Sequence, residues 1–363
     1  MNLSGRPLLD TRPDHELFVD RVDEIARVRA ALGQGLNCLV VGERGSGKTS
    51  LVRALMFEER QDAETHNVGL PRLLYVRGSG AESASDLLRR AVEALAQYQG
   101  DQLATGLPGS SSGPGTSGAP GTSSGLIAEL GERARRGSVL MILDDAPAAA
   151  ANALFGALRD ELWSIDLRWL VTVGATDSAT LLRPPADAFF ESQIALDPLP
   201  DDASIEILRR RMGEAPERLL TEAAAIGGGN PRRLLDVARE FDGDYSKWSD
   251  FASAAAERER ALAALGRPAH MLAAELESLG GASASDDRLL NAMGWTRPRV
   301  VQVLAEMEAA GLVTASSLKS GQGRPKKVYK VVSAAQFLRR RAQGQAQAET
   351  QGPTQAHVKE PTS

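Results

Sequence analysis

The sequence has little cysteine, no signal peptide and no long hydrophobic run. Its single cysteine, Cys38, can form no disulfide within the chain, which is typical of a reducing, cytoplasmic compartment. No hydrophobic run approaches the roughly 20 residues that span a bilayer. We therefore predict a cytoplasmic protein without a membrane partner.

Charge is distributed unevenly along the 363 residues, which are enough for two or three domains. The net charge is −5 overall, but residues 261–363 hold 13 lysines and arginines against 8 acidic residues, a net of +5. The remaining residues, 1–260, carry a net of −10. A basic end on an acidic body predicts a nucleic-acid-binding appendage; a solvated charged tail is the alternative.

A phosphate-binding motif follows the first hydrophobic run of the chain. Residues 42–49 read G-E-R-G-S-G-K-T and fit G-x-x-x-x-G-K-[ST], between an apolar strand pattern and a helical one. Glycines let successive backbone N–H groups turn toward phosphate oxygens, and the following helix directs its positive end there. The pattern places Lys48 at the β- and γ-phosphates and Thr49 at Mg²⁺. The predicted nucleotide-binding residues here are Gly42, Glu43, Arg44, Gly45, Ser46, Gly47, Lys48, Thr49 and Ser50.

A second acidic motif begins about 95 residues later. Residues 138–145 form a hydrophobic strand pattern that ends in Asp144 and Asp145. At the end of a buried parallel strand, Asp144 would reach Mg²⁺ directly or through water, and Asp145 would orient or deprotonate the attacking water. Another strand pattern, 168–176, ends in Thr176. Alone it would indicate an ordinary buried strand.

Composition and periodicity divide the chain into segments. Residues 104–125 are almost entirely Gly, Ser, Pro, Thr and Ala, which predicts a disordered insert because so little apolar surface can be buried. The predicted segments are a flexible arm (1–15), an α/β ATPase core (16–198), a helical lid (199–262), a winged helix (263–335) and a disordered tail (336–363).

Several motifs together resemble AAA+ ATPases of the origin-recognition or initiator type, which are related to STAND signalling ATPases. They occur in AAA+ order at 18–21, 42–49, 143–145, 176 and 229–233. The resemblance implies a P-loop parallel-sheet core with a helical lid, ATP and Mg²⁺ as cofactors, and catalytic roles for Lys48 and Asp145. It also implies Thr176 as sensor 1, Arg232 rather than Arg233 as sensor 2 at the γ-phosphate, and Arg21 lining the adenine pocket.

Two departures from the AAA+ pattern bear on catalysis. Many AAA+ proteins end the acidic motif in Asp-Glu, whereas this chain has Asp144 and Asp145, as STAND proteins do. The stretch 184–191 contains no arginine finger, and Arg183 is the only candidate nearby. We therefore do not predict catalysis between subunits of a ring, and the rate of hydrolysis stays open, with slow turnover as one alternative.

The C-terminal region, 268–333, has the pattern of a winged helix. A turn at 294–296 precedes a helix that begins at Arg297, in the order of a helix–turn–helix. A basic tip, Gly-Arg-Pro-Lys-Lys, follows between two strand patterns and predicts a wing. The predicted DNA-binding residues are Arg297, Arg299, Gln302, Arg324, Lys326 and Lys327. Many winged helices bind proteins instead, so that alternative stays open.

These patterns together predict an ATPase whose nucleotide state switches its binding to duplex DNA. The rival hypothesis is a STAND-like regulatory ATPase, in which the winged helix contacts protein and nucleotide controls assembly, including ATP-dependent homo-oligomers. The pair Asp144 and Asp145 and the missing arginine finger favour the rival.

Overall fold

The computed structural model describes residues 3–66, 72–105, 122–135, 139–240, 245–318 and 326–340. Internal contacts divide the chain into two compact units, Met1–Leu235 and Asp236–Ser363. The boundary falls inside the segment predicted as the lid. None of the helices in these described ranges is both long and apolar enough to cross a membrane.

The first unit is built on a parallel sheet of five strands. They are β1 (Cys38–Gly42), β2 (Arg72–Arg77), β3 (Val139–Asp144), β4 (Arg168–Gly174) and β5 (Ser192–Leu196). Their order across the sheet is β2-β3-β4-β1-β5, and every neighbouring pair is parallel. All residues of β3 are buried, as expected of a strand covered on both faces. The predicted α/β core is confirmed.

Helices cover both faces of this sheet. The longer helices in this part of the chain are α2 (Val22–Gly33), α3 (Lys48–His66), α4 (Ala84–Thr105), α5 (Ser123–Ala134), α9 (Asp201–Met212), α10 (Glu217–Gly227) and α11 (Pro231–Glu240). Helix α11 crosses the boundary between the two units. The shorter ones are α1 (Arg12–His15), α6 (Ala148–Asn152), α7 (Arg159–Trp163) and α8 (Ala175–Leu181), with a π-helical turn (Ala153–Ala157) and a 3₁₀ turn (Ala186–Phe189). One hydrophobic core joins α2 and α3 to the sheet, and another joins α4, α5 and α6 to it.

The register of the sheet brings the polar strand ends together. Gly42, at the end of β1, is level with Gly174 at the end of β4, and Arg77 of β2 is level with Asp144 of β3. Since all five strands run in one direction, their carboxyl ends share one edge of the sheet. Ligands of open α/β sheets bind at this edge.

The N-terminal segment packs against the first unit, although 1–15 was predicted as a flexible arm. Leu8 and Asp14 are buried. Arg6 donates a 2.6 Å hydrogen bond from Nη1 to Asp14 Oδ2, and the Leu9 amide donates to the same oxygen at 2.7 Å. His15 contacts Glu58 on α3 at 3.1 Å. The segment is ordered because its charges find partners more than four residues away, which periodicity cannot show.

The segment predicted as an insert, 104–125, is helical at both ends. Helix α4 continues to Thr105, and α5 begins at Ser123; residues 106–121 lie outside the described part of the chain. Thr122 caps α5, its Oγ1 accepting from the Gly125 amide at 3.3 Å. Helix α5 buries the apolar side chains Leu126, Ile127, Leu130 and Ala134. Low-complexity composition concealed this helix start.

The second unit combines helices with a small antiparallel sheet. Its helices are α12 (Trp248–Ala264), α13 (Arg267–Leu279), α14 (Asp287–Met293) and α15 (Arg297–Ala309), after a 3₁₀ turn (Tyr245–Lys247). The strands are β6 (Ala282–Ser283), β7 (Val313–Leu318) and β8 (Lys326–Val331), ordered β6-β8-β7. Apolar faces of α13, α14 and α15 form a core with β6 and β7.

Candidate nucleotide site

The loop from β1 to α3 has the backbone geometry that only glycine tolerates. Gly45 has φ +88° and Gly47 has φ +98°, in the region where a Cβ atom is disfavoured. At Gly45, an added Cβ would lie 2.6 Å from Arg232 Cβ and 2.7 Å from Asn230 Oδ1. The loop is therefore shaped both by its turn and by close contact with the start of α11.

Lys48 lies across the mouth of this loop. Its Nζ donates hydrogen bonds to the carbonyl oxygens of Gly42 at 2.8 Å and Glu43 at 2.9 Å. Burial lowers the pKa of Lys48, whereas the nearby charges of Asp145 and Asp144 raise it. A partly desolvated ammonium held on two neutral carbonyls can exchange them for anionic phosphate oxygens, which bind it more strongly.

A buried hydroxyl inside the loop supports the fit of an anion. Ser46 Oγ is buried and has no hydrogen-bond partner among the described residues. The first amides of α3, including those of Lys48 and Thr49, lack acceptors within the helix, as in every helix start. These donors, together with the helix dipole, suit the phosphates of a nucleotide.

Asp144 is the centre of a hydroxyl cluster beside the loop. This carboxylate is 3% exposed. Its Oδ2 accepts from Thr49 Oγ1 at 2.8 Å and Tyr75 OH at 2.7 Å, while Oδ1 accepts from Thr172 Oγ1 at 2.6 Å. Because Thr49 donates its proton to Asp144, lone pairs of Oγ1 stay available to a cation.

This donor set fits Mg²⁺. The ion prefers hard oxygen ligands and is held by one or two protein groups together with phosphates and water. Thr49 and Asp144 offer such oxygens next to the phosphate loop. In the described ranges, no group of three or more histidine, cysteine or acidic side chains forms a metal site of its own. The arrangement suits a metal that arrives with a nucleotide.

Asp145 differs from its neighbour in exposure and in backbone. It has φ +56° and an exposed side chain, and its amide donates to Thr172 Oγ1 at 2.8 Å. Aspartate tolerates the left-handed region better than most residues. The Thr172 hydroxyl thus bonds to both residues: it donates to the carboxylate of Asp144 and accepts from the backbone amide of Asp145. The carboxylate of Asp145 is left open to solvent beside the charge of Lys48.

The strand predicted over 168–176 is shorter in the structure. It ends at Gly174, and α8 starts at Ala175, so Thr176 lies exposed in the first turn of a helix. The sequence prediction was wrong for these last residues because Asp177 favours a helix N-terminus through the dipole. Sequence reasoning also missed Thr172, which occupies a buried strand position that a valine would suit equally.

Asp177 is a third carboxylate at the site. Its Oδ2 lies 2.9 Å from where a Cβ on Gly174 would stand, and Gly174 is level with Gly42 of the phosphate loop. Burial raises the pKa of Asp177, as does the charge of Asp145, while Lys48 lowers it. Thr176 and Asp177 are adjacent in the sequence, so the sequence did indicate a polar residue at this position. The sequence analysis selected Thr176 and passed over Asp177.

The start of α11 is hydrogen-bonded onto the phosphate loop. Asn230 Oδ1 accepts from the amides of Arg232 at 3.1 Å and Arg233 at 3.3 Å, which caps the helix. Its Nδ2 donates to Arg44 O at 3.1 Å, and the Arg232 amide donates to Gly45 O at 3.3 Å. The Arg232 side chain is exposed, and its charge lowers the pKa of Lys48. The structure therefore brings Arg232 to the site.

The side chains of Arg21 and Ser50 form hydrogen bonds that connect separate segments of the first unit. Arg21 is buried with φ +68°, and its guanidinium donates to Glu24 Oε1 and to Asp197 O, both at 2.6 Å. It therefore ties the start of α2 to the residue after β5. Ser50 Oγ accepts from the Leu8 amide at 3.3 Å and so attaches the N-terminal segment to α3.

The predicted DNA-binding residues belong to the second unit, apart from Arg324, which lies outside the described ranges. Arg297 and Arg299 are exposed on the first turn of α15. Arg299 donates to Gln302 Oε1 at 2.9 Å. Lys326 and Lys327 are exposed at the start of β8.

The first part of the chain, which holds this site, is similar to a known protein family. Residues 17–176 match the family described as "AAA ATPase domain". No curated protein sequence has a significant similarity to the chain.

Solved structures provide further similarities. A Walker-type ATPase of Pyrococcus abyssi is 16% identical with a TM-score of 0.50, covering 93% of this chain and 100% of that one. The ORC1 protein of Aeropyrum pernix in complex with DNA is 17% identical with a TM-score of 0.48, covering 91% and 94%. At this identity the Pyrococcus match shows a shared fold. Residues 17–176 thus match an AAA ATPase domain on a P-loop fold, and the chain is an ATPase that uses ATP and Mg²⁺.

Proposed function

We propose that this ATPase binds duplex DNA through its second unit and that its nucleotide state controls this binding. The observation that carries the proposal is that one chain combines a phosphate-binding loop and an acidic pair with a small helical unit that has exposed basic residues. The net charge of +5 over 261–363 agrees with an anionic partner.

The helices of the second unit support DNA recognition. Helix α14 ends at Met293, Gly294 adopts φ +62°, and α15 begins at Arg297. This short turn with glycine is typical of a helix–turn–helix, whose second helix enters the major groove. Arg297 and Arg299 at its first turn are candidates for guanine or phosphate contacts.

The hairpin of β7 and β8 supplies the remaining candidates. The elements of this unit follow the order α13, β6, α14, α15, β7, β8, and such an order supports the proposal of a winged helix. Lys327 Nζ lies 2.9 Å from Glu308 Oε2 with about half of its side chain exposed. Exposed ion pairs contribute little free energy, so DNA phosphates can displace such a partner.

We assign hydrolytic roles to four residues of the first unit. Lys48 and Arg232 would stabilise the negative charge of the phosphates, and Thr49 would be a ligand of the metal ion. Bound Mg²⁺ would neutralise charge that develops on the phosphate oxygens. Asp145 is the carboxylate that orients the attacking water and accepts its proton, because it is the exposed member of the pair.

Fluorescence anisotropy on a labelled duplex at low salt tests DNA binding, with and without ATP and Mg²⁺. We expect binding that changes with ATP, and a loss of at least about 10-fold in the Arg297→Ala/Arg299→Ala variant. Arg260→Ala is the matched control, because Arg260 is an exposed arginine of the same unit, on α12. Absence of affinity for any duplex would refute the proposal.

A regulatory ATPase whose second unit binds protein is the second candidate. The observation that favours it is the acidic half of α15, where Glu306 accepts from Gln302 at 3.1 Å and Glu308 holds Lys327. Such acids repel phosphate. This candidate predicts self-association with ATP, measured as mass by light scattering, without DNA affinity. Lys48→Ala should abolish the association.

A further inference from the structure

Tyr75 is a polar side chain at the metal-binding edge that no assignment above uses. It lies on β2, level with Ile142 of β3, and its hydroxyl reaches Asp144 Oδ2 at 2.7 Å. The same oxygen accepts from Thr49 at 2.8 Å. Two hydroxyls therefore share one oxygen of a carboxylate that is 3% exposed.

The ring of Tyr75 is itself held in place. The guanidinium carbon of Arg53, on α3, lies 3.5 Å from the ring centroid, a cation–π arrangement. Arg53 also pairs with Asp10 of the N-terminal segment at 3.6 Å. The phenol is thus held by a cation over the face of its ring as well as by its hydrogen bond to Asp144. Burial, and then the charge of Asp144, raise the pKa of Tyr75 to about 12, so the hydroxyl remains a donor at neutral pH.

The hydrogen bonds on Asp144 determine what this carboxylate can do. Three hydroxyls, from Thr49, Tyr75 and Thr172, donate to its two oxygens. A carboxylate so occupied has little capacity left for direct coordination, but it orients its donors firmly. Groups that orient metal ligands commonly alter metal affinity 10- to 100-fold when removed.

We propose that Tyr75 is a positioning residue for the metal. Its hydrogen bond to Oδ2 turns the Asp144 carboxylate to accept the proton of Thr49, which keeps the lone pairs of Thr49 Oγ1 directed at Mg²⁺. With both of its oxygens accepting hydroxyl protons, Asp144 would support the cation mainly by orienting Thr49. The proposal rests on the ATPase site and is independent of DNA binding.

Tyr75→Phe removes only the hydroxyl, and Mn²⁺ in place of Mg²⁺ gives a direct readout. Free Mn²⁺ is followed by electron paramagnetic resonance during titration of the full-length protein with AMPPNP bound. We expect the Mn²⁺ Kd to rise about 10-fold or more. Binding of a fluorescent AMPPNP derivative in EDTA should stay within about twofold of wild type. Tyr98→Phe, on α4, is the matched control and should leave both values unchanged.

Two further variants identify the route. In an Asp144→Asn background, Tyr75→Phe should change Mn²⁺ affinity little, because the effect passes through Asp144. Arg53→Gln, which leaves the phenol but removes the cation over it, should weaken Mn²⁺ in the same direction. An unchanged Mn²⁺ Kd in Tyr75→Phe, or equal losses of nucleotide binding with and without metal, would overturn the proposal. Wild-type protein that binds no nucleotide in EDTA would instead contradict the ATPase site.

Discussion

At the scale of single residues, Asp144 at the end of β3 and Asp145 directly after it have opposite surroundings. Asp144 is buried under three hydroxyl donors, and Asp145 is exposed at φ +56°. One backbone step thus separates a carboxylate that orients ligands from one that can meet a water molecule. A glutamate in place of Asp145 would extend further from the strand. Because the aspartate side chain is shorter, the attacking water must lie closer to the end of the strand.

Asp145→Asn should separate binding from turnover. The amide keeps the size of the side chain but cannot accept a proton, so we expect ATP turnover to fall by about 10²- to 10⁴-fold. The Kd of ATP should change little, because Lys48 and the loop amides are untouched. Steady-state phosphate release and a fluorescent-nucleotide titration measure the two quantities. Turnover equal to wild type would show that another group activates the water.

Gly45→Ala should damage the site beyond its backbone cost. The new Cβ would stand 2.6 Å from Arg232 Cβ, and Gly45 has φ +88°. Gly80→Ala is the control, since Gly80 has φ +76° with nothing within 4 Å. Gly80→Ala should lose about 1–2 kcal/mol of unfolding free energy in urea, and Gly45→Ala should lose more because its Cβ also meets Arg232 and Asn230. Only Gly45→Ala should weaken ATP binding, by about 10-fold or more; equal affinities would contradict a close loop–helix contact.

At the scale of elements, features that depend on local sequence could be predicted, and features that depend on tertiary contacts could not. The loop at 42–49, the strand before it and the helix after it were predictable because each has its own short-range signature. The roles of Tyr75, Thr172 and Asn230 were not, since they depend on strand register and on contacts across many residues. The packing of the N-terminal segment was missed for the same reason.

The N-terminal segment should make stability depend on acid pH. The hydrogen bond from Arg6 lowers the pKa of Asp14, although burial opposes it. A lowered pKa means that the ionised group stabilises the fold above its ordinary value of 3.8, and that this contribution is lost as pH falls through the folded-state pKa. Asp14→Asn should cost about 1–3 kcal/mol at pH 7 and progressively less below pH 4.

Urea unfolding of both proteins across pH 3 to 7 measures this difference. Glu16→Gln is the control, because the pair of Glu16 with Arg12 is exposed on both sides and such pairs contribute little. A pH-independent gap between Asp14→Asn and wild type would show that packing, not charge, is what Asp14 supplies.

At the scale of the whole molecule, the nucleotide site and the candidate DNA-binding residues belong to different units. The acidic first part holds the phosphate site, and the basic residues of the second unit face solvent at α15 and β8. An ATPase with an acidic body repels DNA except where its basic surface is presented. The proposed affinity for DNA should therefore depend strongly on salt.

Removing the two lysines at the start of β8 should change this salt dependence. In Lys326→Ala/Lys327→Ala we expect the slope of log K against log salt to decrease by about 1 to 2, without a change in sequence preference. Anisotropy titrations between about 50 and 200 mM salt give the slope. A slope equal to that of wild type would mean that these lysines do not meet phosphates.

The buried position of the single cysteine has a practical consequence. Cys38 lies on β1 with no exposed surface, and burial raises the pKa of its thiol to about 11. Reagents that attack thiolates should therefore pass over it in the folded protein. A cysteine introduced at exposed Arg260 would then be the reactive thiol of the folded protein, so the natural chain is already suited to site-specific labelling with a spin probe or a dye.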